Sequence, residues 1–117
     1  MKVEILGLND NGLKFLTKKQ MDKINASVSK EMSSIDHPTI KELTKANKTL
    51  VVDILDIRSG EGALLDTRLF NAKNMPISGK MLFWKTTRLE DFVNPKILSK
   101  NLMSAVEQLV ENAKMIM

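Results

Sequence analysis

The chain has no cysteine, and its 117 residues include a single histidine, His37. The absence of cysteine excludes disulfides, thiolate catalysis and cysteine-ligated metal. One histidine cannot form the histidine cluster of a zinc site. We therefore predict no resident metal ion and no cofactor, and we assign no catalytic residue. Because His37 precedes Pro38 at the end of a predicted helix, we expect its cation to interact with the C-terminal dipole of that helix.

Aromatic residues and long apolar runs are also scarce. The chain has no tyrosine, and its aromatic residues are four phenylalanines and one tryptophan. That is too few for a platform on which the bases of a single strand stack. No apolar stretch approaches the roughly 18 residues of a transmembrane helix, and the opening apolar run is too short for a signal peptide. These features predict a cytoplasmic protein without membrane contact.

The excess of positive charge is small. The 18 basic and 14 acidic residues give a net charge of +4. Lysines gather in the N-terminal part, and four of them fall on one predicted helix: Lys18, Lys19, Lys23 and Lys30. Such a helix face is either an ordinary solvated surface or a contact for the phosphates of a nucleic acid. These lysines are our candidate nucleic-acid contacts.

The first half of the chain predicts one strand and two helices. Residues 2–8 have the composition of a strand. Thr17 begins a capping-box pattern, and apolar residues then recur at spacings of three and four, as in an amphipathic helix. These residues are Met21, Ile24, Val28, Met32 and Ile35. A second capping-box pattern starting at Thr39 predicts a shorter helix over residues 40–47.

The second half predicts three strands and a long helix. Residues 50–58 and 63–71 form a hairpin, and residues 80–87 form a third strand after a loop. Asn94 and Pro95 are typical first residues of a helix, and a broad apolar stripe follows them. The order is β-α-α-β-β-β-α. It predicts a single α+β domain over residues 1–117, in which helices cover one face of a mainly antiparallel sheet of three to four strands.

The hairpin loop predicts a register for its two strands. Arg58 would face Ala63, and Asp53 would face Arg68. One sheet face would then carry Leu50, Val52, Ile54, Ala63, Leu65 and Leu69 and pack against the helices, with Asp56 near the loop. The other face would carry Val51, Leu55, Ile57, Leu64 and Phe70 around a charged centre.

That charged centre consists of Asp53, Asp66 and Arg68 and allows two interpretations. The first is a cross-strand ion pair between Asp53 and Arg68 on a solvated face, worth only ~0–1 kcal/mol. The second follows from a resemblance: an aspartate on one strand and acid-x-base on the next resembles the restriction-endonuclease-like nucleases. The resemblance implies that Asp53 and Asp66 bind magnesium. Arg68 replaces the lysine of that family, and arginine does not act as a base. We favour the ion pair.

A second resemblance concerns the order of the elements. The opening VEILGL strand, the early helix, ALLDTRL and the closing helix are faintly similar to the small tail-completion proteins of tailed phages. The Val-Asp-Thr-Gly motif of that family is present only as Leu65-Asp66-Thr67, with Arg68 at the glycine position. We do not assign the chain to that family on three residues.

The apolar surface of the last helix and of the second sheet face exceeds what one small sheet covers. Such a surplus is typical of interfaces. We therefore expect a non-enzymatic interaction or assembly protein, a homo-oligomer or the partner of another protein. The candidate interface residues are Phe83, Trp84, Leu102, Met103, Val106, Leu109, Val110 and Ile116. The alternatives are nucleic-acid binding through the lysine-rich helix and a magnesium-dependent nuclease.

Overall fold

A computed structural model describes residues 1–7, 17–58, 61–85 and 94–116, with side chains up to residue 113. Its elements follow the predicted order β-α-α-β-β-β-α. They are β1 (Lys2–Leu6), α1 (Lys18–Ser33), α2 (Pro38–Lys45), β2 (Thr49–Arg58), β3 (Gly62–Phe70), β4 (Pro76–Lys85) and α3 (Pro95–Ile116). The predicted α+β class is confirmed.

Each helix begins at a side chain that caps its free amides. The capping box at Thr17 is present, with the Thr17 hydroxyl accepting from the Gln20 amide. The Asn94 carboxamide oxygen accepts from the amides of Lys96 and Ile97 at the start of α3. These are the local signals that the sequence carried.

The expected role of His37 is wrong. α1 ends at Ser33, and His37 is instead the N-cap of α2: its Nδ1 accepts from the Thr39 amide at 3.1 Å. Its Nε2 lies 3.3 Å from Glu107 Oε1 of α3. Pro38 occupies the first helical position, where its missing N–H costs nothing, so the imidazole supplies the acceptor that this helix start requires.

The four strands form one mixed sheet in the order β1-β2-β3-β4. β2, β3 and β4 are antiparallel neighbours, as predicted, whereas β1 runs parallel to β2. Parallel neighbours need a long crossover, and α1 with α2 provides it. The sheet is therefore mixed and only mainly antiparallel.

The predicted hairpin register is wrong by one residue. Arg58 pairs with Gly62, and Ile57 pairs with Ala63. A β-bulge at Leu55 then adds one residue to β2, so that Asp53 faces Asp66. Between the bulge and the turn, the β2 side chains that face the helices and those that face away are exchanged. The reason is that an extra residue reverses the alternation of side chains. Asp56 is thereby exposed instead of pointing at the helices.

β4 begins four residues earlier than predicted, at Pro76 instead of Lys80. Proline is compatible with the first residue of an edge strand because no ladder hydrogen bond is lost there. The pairing skips Ile77, since Leu69 faces Ser78 and Phe70 faces Pro76. Of the predicted strand, residues 86 and 87 lie outside the described residues.

The core lies between the sheet and the helices. The helix-facing side of the sheet is buried, as expected for Leu50, Val52, Ile54, Ala63, Leu65 and Leu69. Thr67 is buried on the same side, and its hydroxyl donates to the Lys80 carbonyl at 2.8 Å. In the described part of the chain, no helix combines the length and apolar character needed to cross a membrane.

Candidate interaction surface

The sheet face opposite the helices carries a group of exposed apolar side chains; we call it the open face. Its large exposed apolar residues lie on all four strands and are between 37% and 58% exposed: Leu6, Leu55, Leu64, Met81 and Phe83. Val51 and Phe70 add half-buried apolar surface towards the opposite end of the strands from the β2–β3 turn. The strands place these residues side by side because side chains alternate between the two faces of a sheet.

Short ion pairs lie among these apolar residues, one on each of three strands. Each pair joins opposite charges two positions apart on the same face. They are Lys2–Glu4 at 3.0 Å, Arg58–Asp56 at 3.2 Å and Arg68–Asp66 at 3.0 Å. Exposed pairs of this kind contribute only ~0–1 kcal/mol. These ion pairs keep the face hydrated, and they do not prevent a partner from covering it.

The expected Asp53–Arg68 ion pair is not formed. Arg68 faces Val51 across the ladder and donates from Nε to Asp66 Oδ2 on its own strand. Asp53 lies directly opposite Asp66 and has no ion pair within the described residues. Two shifts of one residue each explain the difference: the pairing next to the turn is one residue off, and the bulge at Leu55 adds a second.

The structure thus brings Asp53 and Asp66 together, but it adds no third acid. Within the described ranges, no group of three or more His, Asp or Glu side chains is placed to hold a metal ion. A hard divalent cation takes six or more oxygen ligands, of which two carboxylates supply a small part. Asp53 and Asp66 resemble the nuclease pattern in sequence, but they supply fewer metal ligands than such a site requires.

Three of the candidate interface residues of α3 do not lie on an outer surface. Leu102, Val106 and Leu109 are fully buried in the core, so their assignment to an interface is wrong. Met103 and Val110 are partly buried and pack against the same core. The broad apolar stripe of α3 is buried because α3 contacts both the sheet and α1. The side chain of Ile116 lies outside those that the structure describes.

The two aromatic candidates on β4 point in opposite directions. Trp84 faces Ala63 on the helix side and is partly buried against the core, whereas Phe83 faces Leu64 on the open face. Leu6 and Met81 also belong to the open face, although the sequence did not single them out. The alternation of side chains along β1 and β4 indicates that Leu6 and Met81 share this face only when the neighbouring strands are known.

The four candidate lysines of α1 are all exposed: Lys18, Lys19, Lys23 and Lys30. α1 packs on the helix side of the sheet, against β1 and α3. α1 also borders the open face at the β1 edge, where Lys2, Glu4 and Leu6 line a groove together with Asp22, Asn25 and Ala26 of α1.

No protein-family model, no curated protein and no solved structure matches this chain. The open face is accordingly the feature from which a function can be inferred.

Proposed function

We propose that the protein is a non-enzymatic interaction or assembly protein that acts in the cytoplasm by burying its open face against another protein chain. The observation that carries the proposal is the set of five large apolar side chains exposed side by side on one sheet face. Scattered exposed apolar residues are ordinary, whereas a contiguous apolar patch is typical of an interaction site.

The charges on the open face are compatible with such a contact. Each ion pair joins neighbours on one strand, so it can stay intact when the face is covered. Taken as a whole, a protein–protein interface is only about as apolar as the rest of a protein surface, so charges among the apolar side chains are compatible with one. The ion pairs then set the orientation of the partner, and the apolar side chains contribute most of the affinity.

Site-specific photocrosslinking in cells of the native host tests the proposal. A benzoylphenylalanine at position 64 lies on the open face, and one at position 97 lies at a similarly exposed apolar position of α3, since Leu64 is 37% and Ile97 39% exposed. We expect a discrete protein adduct from position 64 and none from position 97. Equal labelling at both positions, or no adduct at either, would contradict the proposal.

Nucleic-acid binding is the second candidate, and the exposure of all four α1 lysines favours it. Binding through phosphate contacts weakens steeply with salt because counterions are released. A salt titration with duplex and single-stranded DNA, repeated with Lys19→Glu and Lys23→Glu, separates this candidate from the first. Affinity that falls with salt and is lost in these variants would establish it.

A further inference from the structure

We infer that the partner of the open face is a second copy of this chain, stacked face to face with the first. The inference rests on the proposed function and names the partner of the same surface. Three features of the structure support it: the state of the two sheet edges, the charge balance of the open face and the size of that face.

The edge of the sheet at β1 is closed by polar side chains of α1. Asn25 Oδ1 accepts from the Ile5 amide at 3.0 Å, and Ser29 Oγ accepts from the Val3 amide at 2.8 Å. These two residues are four positions apart and therefore lie on one side of the helix. The β1 amides that a further strand would need are thus already bonded, so a second copy cannot extend the sheet there.

The other edge, at β4, has the features with which natural sheets avoid edge-to-edge pairing. The strand begins with Pro76, the pairing is irregular at Ile77, and Lys80 points towards the helices. The Lys80 ammonium donates to the Gln108 carboxamide of α3, and this bond keeps the lysine charge on the helix side of the sheet. A proline, an irregular ladder and an inward-pointing lysine each disfavour the addition of a strand. Association through either edge of the sheet is therefore disfavoured.

The open face is close to electrically balanced, although the whole chain carries +4. Strand alternation and register place four acidic and four basic residues on its strands, and Glu61 of the turn adds a fifth acid beside Arg58. The strand residues are Glu4, Asp53, Asp56, Asp66, Lys2, Arg58, Arg68 and Lys85. A face with one sign of charge would repel a second copy of itself, whereas a balanced face does not. The balance also disfavours a polyanion at this surface, since such a ligand requires an excess of positive charge.

The face is of the same order of size as the area that each partner buries in a standard interface. Strand spacings of about 4.8 Å and rises of about 3.3 Å per residue give four strands of these lengths a flat area of roughly 500 Å². Protruding side chains make the accessible area larger, so the face approaches the roughly 800 Å² that each partner buries in a standard interface. Two sheets stacked about 10 Å apart are a common packing, with interdigitated side chains between them.

Sedimentation equilibrium on the purified chain tests the inference with two matched pairs of variants. Met81 on the open face is 52% exposed and Met75 in the β3–β4 loop is 58% exposed. We expect a dimer at tens of micromolar and an increase of about tenfold or more in its Kd for Met81→Lys, as for a residue that contributes strongly to an interface. Met75→Lys should change that Kd less than about twofold, as expected of a residue outside the interface.

Leu64→Lys and Ile97→Lys form the second matched pair. This pair keeps the test decisive if a variant of the first pair fails to fold. Circular dichroism selects the folded variants. A monomer throughout the concentration range, or equal effects of both members of each pair, would overturn the inference. A monomeric chain that still gives the adduct at position 64 in cells would retain the proposed function with a different partner, whereas a monomer without that adduct would reject both.

Single cysteines define the arrangement, because the chain has none of its own. Under mild oxidation we expect Leu64→Cys to form disulfide-linked dimers faster than Ile97→Cys. A spin label at position 64 should report a short distance between copies, since stacked sheets lie about 10 Å apart. Dimers that show a long distance from position 64 and cross-link through α3 would overturn face-to-face stacking.

Discussion

Asp53 and Asp66 lie directly opposite each other on neighbouring antiparallel strands, at the centre of the open face. Arg68 donates to Asp66 and leaves the charge of Asp53 without an ion pair among the described residues. Like charges in this position destabilise a sheet, because their side chains are only about 5 Å apart. The two like charges are therefore a local destabilising contact within a face whose overall charge is close to balanced.

Asp53→Asn should therefore stabilise the monomer. The amide keeps the shape of the side chain and removes the like charge, so we expect the free energy of unfolding to rise by about 0.2–1 kcal/mol. Urea denaturation at neutral pH measures the change. Asp22→Asn on the exposed surface of α1 is the control and should change stability by less than about 0.5 kcal/mol. A destabilised Asp53→Asn would show that this carboxylate makes a favourable contact instead.

The hydrogen bond from the Ile5 amide to Asn25 should be necessary for the edge strand. Asn25→Ala removes the acceptor of a partly buried amide, and we expect a loss of about 1–3 kcal/mol. Hydrogen exchange at Ile5 should accelerate in the variant, because the amide becomes free to bind water. Ser34→Ala, which removes a hydroxyl bond to the Glu31 carbonyl at an exposed helix end, should have little effect on Ile5. Unchanged exchange at Ile5 would contradict this account.

His37 should act through its capping bond. His37→Ala removes the acceptor for the Thr39 amide, and we expect a loss of about 0.5–2 kcal/mol. His37→Asn should restore much of that loss, since asparagine is a strong N-cap residue, although it does not reproduce the contact with Glu107. Thermal unfolding compares the three proteins. If the asparagine variant is no better than the alanine variant, the contact with Glu107 is the more important of the two.

Leu102 should behave as a core residue and not as an interface residue. Leu102→Ala leaves a cavity between α3 and the sheet, and we expect a loss of about 2–5 kcal/mol. At a temperature where the variant is folded, its dimer Kd should match that of the unchanged chain. A strong effect on association in a fully folded variant would return α3 to the interface.

The clearest difference between sequence and structure lies in the β2–β3 hairpin. Both strands and the turn between them were predictable, because Val, Ile and Leu alternate on either side of a glycine-containing loop. The register was not, since a bulge at Leu55 leaves no mark on composition. Together with the one-residue shift next to the turn, its effect is nevertheless large: Asp56 becomes exposed, Ile57 packs against the core, and Asp53 meets Asp66 instead of Arg68.

The surplus apolar surface was predictable on the outer sheet face but not on α3. The wide stripe of α3 predicted an interface, yet α1 and the sheet together bury Leu102, Val106 and Leu109. The apolar residues left over lie on the open face, and Met81 and Leu6 join it from the two outer strands. Periodicity identifies which residues of an element share a face, but not what covers that face.

By itself, the sequence determined the order of the elements, the starts of α1 and α3, and the composition of the helix-facing side of the hairpin. These depend on capping side chains and on periodicity, both of which act within a few residues of the chain. Only the tertiary structure decided the parallel pairing of β1, the register beyond the bulge, the capping role of His37 and the burial of the α3 stripe. Those features depend on contacts between segments far apart in sequence, where the burial of one surface determines which other surface remains exposed.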